Sequence, residues 1–280
     1  MSSASRAWAR LRRNAPAMAG LAMAAFIAGV AIFGPMLYGV DPFDMLGDAV
    51  IAPGVDPQFP LGTDALGRDV LAGLISGARV SLVVGVAAML RAIVIGIVVG
   101  SVAGYFGGVA DEVLMRLTEF VQTIPVFLLV LALIAILGPS NESIVLAVCV
   151  SSWPPVARLV RAEFMSLRER EFVQSCIVVG MGRLRIIFTQ ILPNSLAPVI
   201  VYSSIIFANA VLIEAALAFL GLGDPNVMSW GAMIGSGRES LRTDWYLSAV
   251  PGIAILLTVL SINLLGEGVN DALNARLNVR

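Results

Sequence analysis

The sequence predicts an all-α, polytopic membrane protein with six transmembrane helices. Hydrophobic residues make up 58% of the 280-residue chain, charged residues make up only 13%, and the mean hydropathy is +0.91. An ordinary soluble domain is closer to half apolar and a quarter charged. Six apolar runs also come close to or exceed the roughly 20 residues that a helix needs to cross a bilayer. Together these observations favour a membrane domain over a soluble helical core.

The first three predicted spans lie in the N-terminal half. The first covers residues 15–37, after a segment (1–14) with four arginines, and is longer than the roughly 7–15 apolar residues of a signal peptide. It is therefore expected to be an uncleaved helix. The second, 82–103, contains Arg91, and the third, 118–137, contains Pro125 and stops before Gly138-Pro139.

The last three predicted spans cover residues 144–160, 196–220 and 247–265. Trp153-Pro154-Pro155 interrupts the first of them, and both a gate hinge and a static kink remain open there. Pro198 is expected in the first turn of the next span, where proline is tolerated. Pro251-Gly252 opens the last one. Residues 15–280 thus form one predicted transmembrane domain.

The arginines predict that both termini are cytoplasmic, because inner segments of membrane proteins carry the excess of positive charge. With the N-terminus inside, thirteen arginines fall in inner segments and four in outer ones. The four outer arginines are Arg68, Arg79, Arg238 and Arg242. This orientation predicts outer loops at residues 39–77 and 221–246 and a large cytoplasmic loop at residues 161–195.

Missing residue types exclude several kinds of chemistry. The chain has no histidine and no lysine, which removes histidine-ligated metals, histidine bases and the lysine of a phosphate-binding P-loop. If ATP drives this protein, another polypeptide binds it. Cys149 and Cys176 lie far apart and are expected to be small apolar packing residues rather than a disulfide or metal pair. No catalytic residue, metal site or nucleic-acid partner is expected.

The segment EFVQSCIVVGMGRLRIIFTQILP, residues 171–193, is a charged interruption between apolar runs. Its spacing predicts two short amphipathic helices, 171–179 and 183–192, which are broken by Gly180-Met181-Gly182 and closed by Pro193. Both helices are too short to span a bilayer. They either lie on the membrane surface or present an apolar face to a groove in a partner protein.

This segment resembles the cytoplasmic loop of ABC-importer permeases, in which E-A-A, three further residues and Gly are followed later by I-x-L-P. In this chain the E-A-A positions are Gln174-Ser175-Cys176, the glycine is Gly180, and the I-x-L-P positions are Gln190-Ile191-Leu192-Pro193. The glycine and the Leu-Pro pair match, whereas the triplet departs from E-A-A and Gln190 stands where Ile or His is common.

Three further stretches resemble the dipeptide/oligopeptide/nickel branch of these permeases. They are LGTDALGRDVLAGLISGARVSLVVG (61–85), YFGGVADEVLMR (105–116), and AFLGLGDPNVMSWGAMI with PGIAILLTVLSINLLGEGVNDAL (218–234 and 251–273). The likeness runs from about residue 15 to 277, and the form with an N-terminal anchor helix resembles the second of the two permease subunits. A secondary transporter or channel working alone is the alternative, and would be expected to show inverted repeats. A membrane enzyme is the third alternative, but the chain has no histidine, no lysine and no nucleophile placed beside a base.

The resemblance implies an importer for peptides or similar small solutes in a bacterial or archaeal inner membrane. A sister permease would complete the path, two ATP-binding subunits would hold ATP and Mg²⁺, and an extracytoplasmic binding protein would deliver the substrate, which the sequence does not name. The cytoplasmic loop would dock on an ATPase. The residues implied in this coupling are Glu171, Gln174, Ser175, Gly180, Gln190, Leu192 and Pro193.

Charged residues outside this loop give two further expectations. Arg91, Glu119 and Glu214 fall at membrane depth, where an unpaired arginine costs at least about 2.5 kcal/mol. Arg91 is therefore expected to pair with Glu119 or Glu214, either as a structural pair or along the translocation path. In the first outer loop, Asp64 and Arg68 have i,i+4 spacing on a predicted short helix. With Asp69, they are candidates for contact with the binding protein.

Overall fold

The computed structural model describes residues 8–273, and its regular elements in this range are helices, joined by short loops except for the long loop 39–69. We label them α1 (Ala15–Tyr38), α2 (Val70–Phe106), α3 (Gly108–Thr123), α4 (Val126–Leu137), α5 (Asn141–Arg168), α6 (Glu171–Val178), α7 (Arg183–Ile186), α8 (Leu192–Phe219), α9 (Trp230–Gly237) and α10 (Tyr246–Leu273). A π-helical turn, Ile187–Ile191, joins α7 to α8. We call the end of the bundle that holds α6 the inner end and the end that holds α9 the outer end.

Five helical stretches are long and apolar enough to cross a membrane, and α3 with α4 forms a sixth candidate bent by 88°. The predicted all-α membrane class is therefore confirmed, but the third predicted span is not a straight helix. Pro125 explains the bend, because a proline disfavours helical backbone at the residue before it. Ile124 has φ −84° and ψ 127°, which is extended backbone.

One predicted boundary and one predicted break are also wrong. α2 begins at Val70 rather than at residue 82, so the first outer loop ends at residue 69 rather than 77. The carboxylate of Asp69 accepts a hydrogen bond from the Leu71 N–H and caps this start (2.8 Å). α5 runs without interruption through Pro154 and Pro155, although the sequence predicts a break there.

Prolines inside a membrane helix are tolerated where neighbouring helices cover them, and α2 packs closely against α5 next to these prolines. Gly96, Gly100 and Gly104 of α2 face α5 at four-residue spacing, and a Cβ added at Gly96 would lie 2.5 Å from the Cβ of Val156. Small residues at this spacing let two membrane helices approach closely. Trp153, Pro154 and Val156 are buried in this region.

The segments at the outer end close over α2 and α10. The indole N–H of Trp230 donates to the Leu74 carbonyl (2.9 Å), which ties α9 to α2. The hydroxyl of Tyr246 lies 3.0 Å from the Ile51 carbonyl and 3.2 Å from that of Thr63, which holds the first outer loop against α10. The second predicted outer loop, 221–246, thus contains a helix of its own.

Candidate functional site

The loop between α5 and α8, residues 169–191, is anchored at the inner end by apolar side chains. Val173, Ile186, Ile187 and Ile191 are each 7% exposed or less. They belong to the same core cluster as Val160 and Phe164 of α5. Because a packed interior is not compressible, a force on this loop is passed to α5 and α8 through these contacts.

The opposite face of the loop is apolar and uncovered in this chain. Val178 is 87% exposed, Val179 84% and Leu184 66%. Phe172, Ile177 and Phe188 are also exposed. Several large apolar side chains exposed on one short loop indicate a contact with another protein or with a membrane. The loop thus has one face fixed to the bundle and one face open to a partner.

The turn after α6 depends on glycine at position 180. Gly180 has φ +83°, a left-handed conformation that L side chains adopt at a cost of about 1–2 kcal/mol. Its N–H donates to the Ile177 carbonyl (2.9 Å), and the Met181 N–H donates to the Cys176 carbonyl (3.0 Å). A Cβ added at Gly180 meets no atom within 4 Å. Glycine is therefore needed for the backbone conformation and not for space.

The second half of the loop differs from the prediction. Residues 183–192 do not form a separate helix closed by Pro193, because helical backbone continues through the π turn Ile187–Ile191 into α8. Pro193 is the second residue of α8 and directly follows the π turn. Pro198 lies inside α8 rather than in its first turn.

The residues that the resemblance marks for coupling lie on this loop but differ in exposure. Glu171, Gln174, Ser175, Gly180 and Pro193 are exposed, whereas Gln190 and Leu192 are half-buried. The side-chain amide of Gln174 donates to the Arg168 carbonyl at the end of α5 (2.9 Å). The Glu171 carboxylate has no partner among residues 8–273 and is free to bind a cation on another protein.

Arginines of α5 brace the inner end against α3 and the end of α2. Arg161 makes a two-pronged contact with Asp111 of α3, with its Nε 2.5 Å and its Nη2 2.6 Å from the two carboxylate oxygens. Arg168 donates from Nη1 to the Tyr105 carbonyl (3.0 Å). From the sequence, these arginines predict only the orientation. Their seven-residue spacing, which places both on one helix face, was the available signal.

The intramembrane charges pair differently from the prediction. Arg91 binds Glu142 (2.6 Å), and neither Glu119 nor Glu214. Glu142 lies in the first turn of α5, just before the predicted span, and is therefore not among the charges predicted at membrane depth. Glu214 is 1% exposed and accepts a hydrogen bond from the Ser81 hydroxyl (2.9 Å), so it holds α8 to α2. Glu119 is exposed.

Asp64, Arg68 and Asp69 lie in a loop and not on a short helix. One Asp64 oxygen accepts from the backbone N–H groups of Leu66 and Arg68, and the other binds the Arg68 guanidinium (2.6 Å). Asp69 is 3% exposed and accepts from the Tyr38 hydroxyl. All three side chains are thus engaged within the chain, and their contact with a binding protein stays a prediction.

Comparison with known proteins agrees with this arrangement. The family described as binding-protein-dependent transport system inner membrane component matches residues 96–279. A second family, the N-terminal TM domain of oligopeptide transport permease C, matches residues 2–57. A chain of the MetNI methionine ABC transporter in inward facing conformations covers 72% of this chain and 96% of its own length, with a TM-score of 0.58. At 17% identity this last likeness shows the fold alone.

Curated relatives match almost the whole chain. A di/tripeptide transport system permease protein of Pseudomonas aeruginosa is 39% identical over 96% of this chain and 91% of its own length. A dipeptide transport system permease protein of Escherichia coli K12 is 39% identical over 96% and 92%. A glutathione transport system permease protein of Pectobacterium atrosepticum is 35% identical over 96% and 90%. These matches decide against the stand-alone transporter or channel, and the chain belongs to the family of binding-protein-dependent inner membrane permeases of ABC importers, in its peptide-transport branch.

Proposed function

We propose that this chain is one of two permease subunits of an importer that takes up dipeptides or similar small peptides. The di/tripeptide and dipeptide permeases among its relatives support this substrate class. A sister permease completes the path, and a separate binding protein delivers the peptide at the outer end. Two ATP-binding subunits hold ATP and Mg²⁺, since this chain lacks the lysine of a P-loop.

The exposed apolar face of α6 and α7 is the observation that carries this proposal. Its residues face outward, whereas Val173 and Ile186 on the other side are buried against the bundle. Insertion of the open face into a groove of an ATP-binding subunit would bury it, and a movement of that subunit would then pull on the anchored face. The Asp111–Arg161 pair would pass this movement from α5 to α3.

Docking is tested by placing a charge on the open face. Val178→Asp and Val179→Asp disturb no buried contact and are expected to prevent co-purification of the two co-expressed ATP-binding subunits with the tagged chain, because each would bury an unpaired carboxylate. The matched control is Val55→Asp, at a 71% exposed position in the first outer loop. If all three variants retained the ATP-binding subunits equally, the docking proposal would be wrong.

The orientation is tested with the native cysteines. Cys176 lies on the loop and is partly exposed, whereas Cys149 is buried in α5. A membrane-impermeant maleimide is expected to label Cys176 in inside-out vesicles and not in right-side-out vesicles. Labelling of Cys176 from the outer side would contradict cytoplasmic placement of the loop, and Cys176→Ser controls for reaction at Cys149.

A further inference from the structure

A cleft with a volume of about 440 Å³ and a mixed polar and apolar lining opens at the outer end of the bundle. It lies between α2, the start of α5, the segment after α1 and the loop that precedes α9. Its lining includes Ser76, Arg79, Asn141, Asn226 and Asp41. Pockets for small molecules commonly enclose roughly 300–1,000 Å³. The cleft is therefore large enough to hold one end of a small peptide.

Arg79 is the unpaired cation of this cleft. Among the arginines of α2, α3 and α5, the other five all have partners within the chain. These pairs are Arg91 with Glu142, Arg116 with Glu112, Arg158 with Gln122, Arg161 with Asp111, and Arg168 with the Tyr105 carbonyl. Arg79 is exposed and has no hydrogen bond or ion pair within the described part of the chain. Its guanidinium keeps five N–H donors available.

The acidic residues around the cleft form no ion pair with Arg79. One Asp224 oxygen accepts from the Asn226 N–H (3.0 Å) and the other from the Asn141 N–H (3.2 Å), and within the described residues Asp224 forms no ion pair with Arg79. These hydrogen bonds, led by that of Asn226, lower the pKa of Asp224 and keep it ionised. Asp41 accepts from the Phe43 N–H (2.8 Å) and forms no ion pair with Arg79.

The position of Arg79 favours a ligand inside the cleft over a protein docked on the outer surface. Arg79 lies nine residues beyond the start of α2, which is roughly 14 Å along the axis at 1.5 Å per residue. An arginine on a membrane helix is unfavourable unless it faces water or a partner. Val83, Val86 and Leu90 follow on the same exposed face, so this side of α2 is not covered by the chain itself.

We propose that Arg79 binds the terminal carboxylate of the transported peptide at the outer mouth of the path. A guanidinium and a carboxylate match as two parallel N–H···O hydrogen bonds, and Asn141 and Asn226 line the same space. This proposal rests on the proposed import function and adds to it a residue that contacts the substrate.

The test measures uptake of labelled dialanine in cells that depend on this chain, together with ATP hydrolysis by the purified full transporter. Arg79→Gln is expected to lower uptake at limiting peptide by about tenfold, the factor that corresponds to 1.4 kcal/mol. The binding-protein concentration that half-maximally stimulates ATP hydrolysis is expected to stay unchanged. Arg238→Gln, which removes an exposed outer arginine outside the cleft, is expected to leave uptake intact.

If Arg79→Gln folds poorly, a second variant whose positive charge can be restored chemically tests the proposal. In a Cys176→Ser background, Arg79→Cys modified with a cationic thiosulfonate is expected to regain uptake, whereas an anionic reagent is expected to leave it low. Equal recovery with both reagents would overturn the proposal. So would a raised half-maximal binding-protein concentration, which would assign Arg79 to the binding protein instead.

The two levels of proposal fail differently. If cells lacking this chain still took up dialanine by the same route, the proposed function itself would be wrong. If the wild-type chain and Arg79→Gln restored uptake equally, only the role of Arg79 would be wrong.

Discussion

The pair between Asp111 and Arg161 is expected to contribute about 2 kcal/mol to the stability of the inner end. Asp111→Asn and Arg161→Gln each remove the charge attraction and one prong of the contact. The two side chains are 20% and 32% exposed, respectively, and the pair joins α3 to α5 across the bundle. It is thus neither a surface pair nor a fully buried one.

The magnitude follows from these exposures. An exposed ion pair contributes about 0–1 kcal/mol, whereas loss of one partner from a fully buried pair costs about 3–5 kcal/mol. The free-energy contribution of two charge-assisted hydrogen bonds that water partly reaches should fall between these limits. A coupling free energy of about 2 kcal/mol between the two positions is therefore expected in a double-mutant cycle.

The assay is the free energy of unfolding of the purified chain in mixed micelles, titrated with a denaturing detergent. Arg116 and Glu112 on α3 provide the control pair, since their side chains are 76% and 66% exposed and lie 3.3 Å apart. This pair is expected to couple by about 0.3–0.5 kcal/mol. A coupling of Asp111 with Arg161 no larger than that of the control pair would refute the reasoning. Uptake per ATP hydrolysed should fall with the same substitutions.

Three further outcomes are expected. Gly180→Ala should destabilise the turn after α6 by about 1–2 kcal/mol and weaken retention of the ATP-binding subunits, while Gly182→Ala, at φ −64°, should not; equal behaviour of the two would contradict the left-handed turn. Gly100→Val should separate α2 from α5 and cost at least about 1–3 kcal/mol, whereas Gly29→Val, where nothing lies within 4 Å, should leave thermal stability near the wild type. Glu214→Gln should preserve uptake across several charged peptides, because the side chain is buried and hydrogen-bonded to Ser81; a selective loss for cationic peptides would contradict this, and Glu214→Leu should cost about 1–3 kcal/mol by leaving the buried Ser81 hydroxyl unpaired.

The helices of this fold could be predicted from the sequence, but their ends and bends could not. An apolar run predicts a membrane span because a helix satisfies all of its own backbone groups in lipid. It does not show that a helix begins before the apolar stretch, as α2 does by starting at Val70. The bend between α3 and α4 arises because Pro125 interrupts the helix, and the sequence alone does not distinguish an interruption from a kink. Pro154 and Pro155 have the opposite outcome, since α5 continues through both.

The loop of the candidate site could be located from its glycines and its charge, whereas side-chain partners could not. The φ +83° at Gly180 agrees with the predicted break after α6. By contrast, Arg91 had several carboxylates at plausible depth, and its choice of Glu142 depends on how α2 and α5 are placed side by side. The sequence does not predict that the Arg79 guanidinium lacks a partner, since this depends on where the fold places the carboxylates.

The most direct test of the central claim is uptake of dialanine into proteoliposomes that contain this chain, its sister permease and two ATP-binding subunits. Uptake is expected only when the binding protein and ATP are both supplied. It should disappear when the P-loop lysine of the ATP-binding subunits is replaced, while the assembled complex is retained. ATP-independent uptake by liposomes that contain this chain alone would contradict the claim.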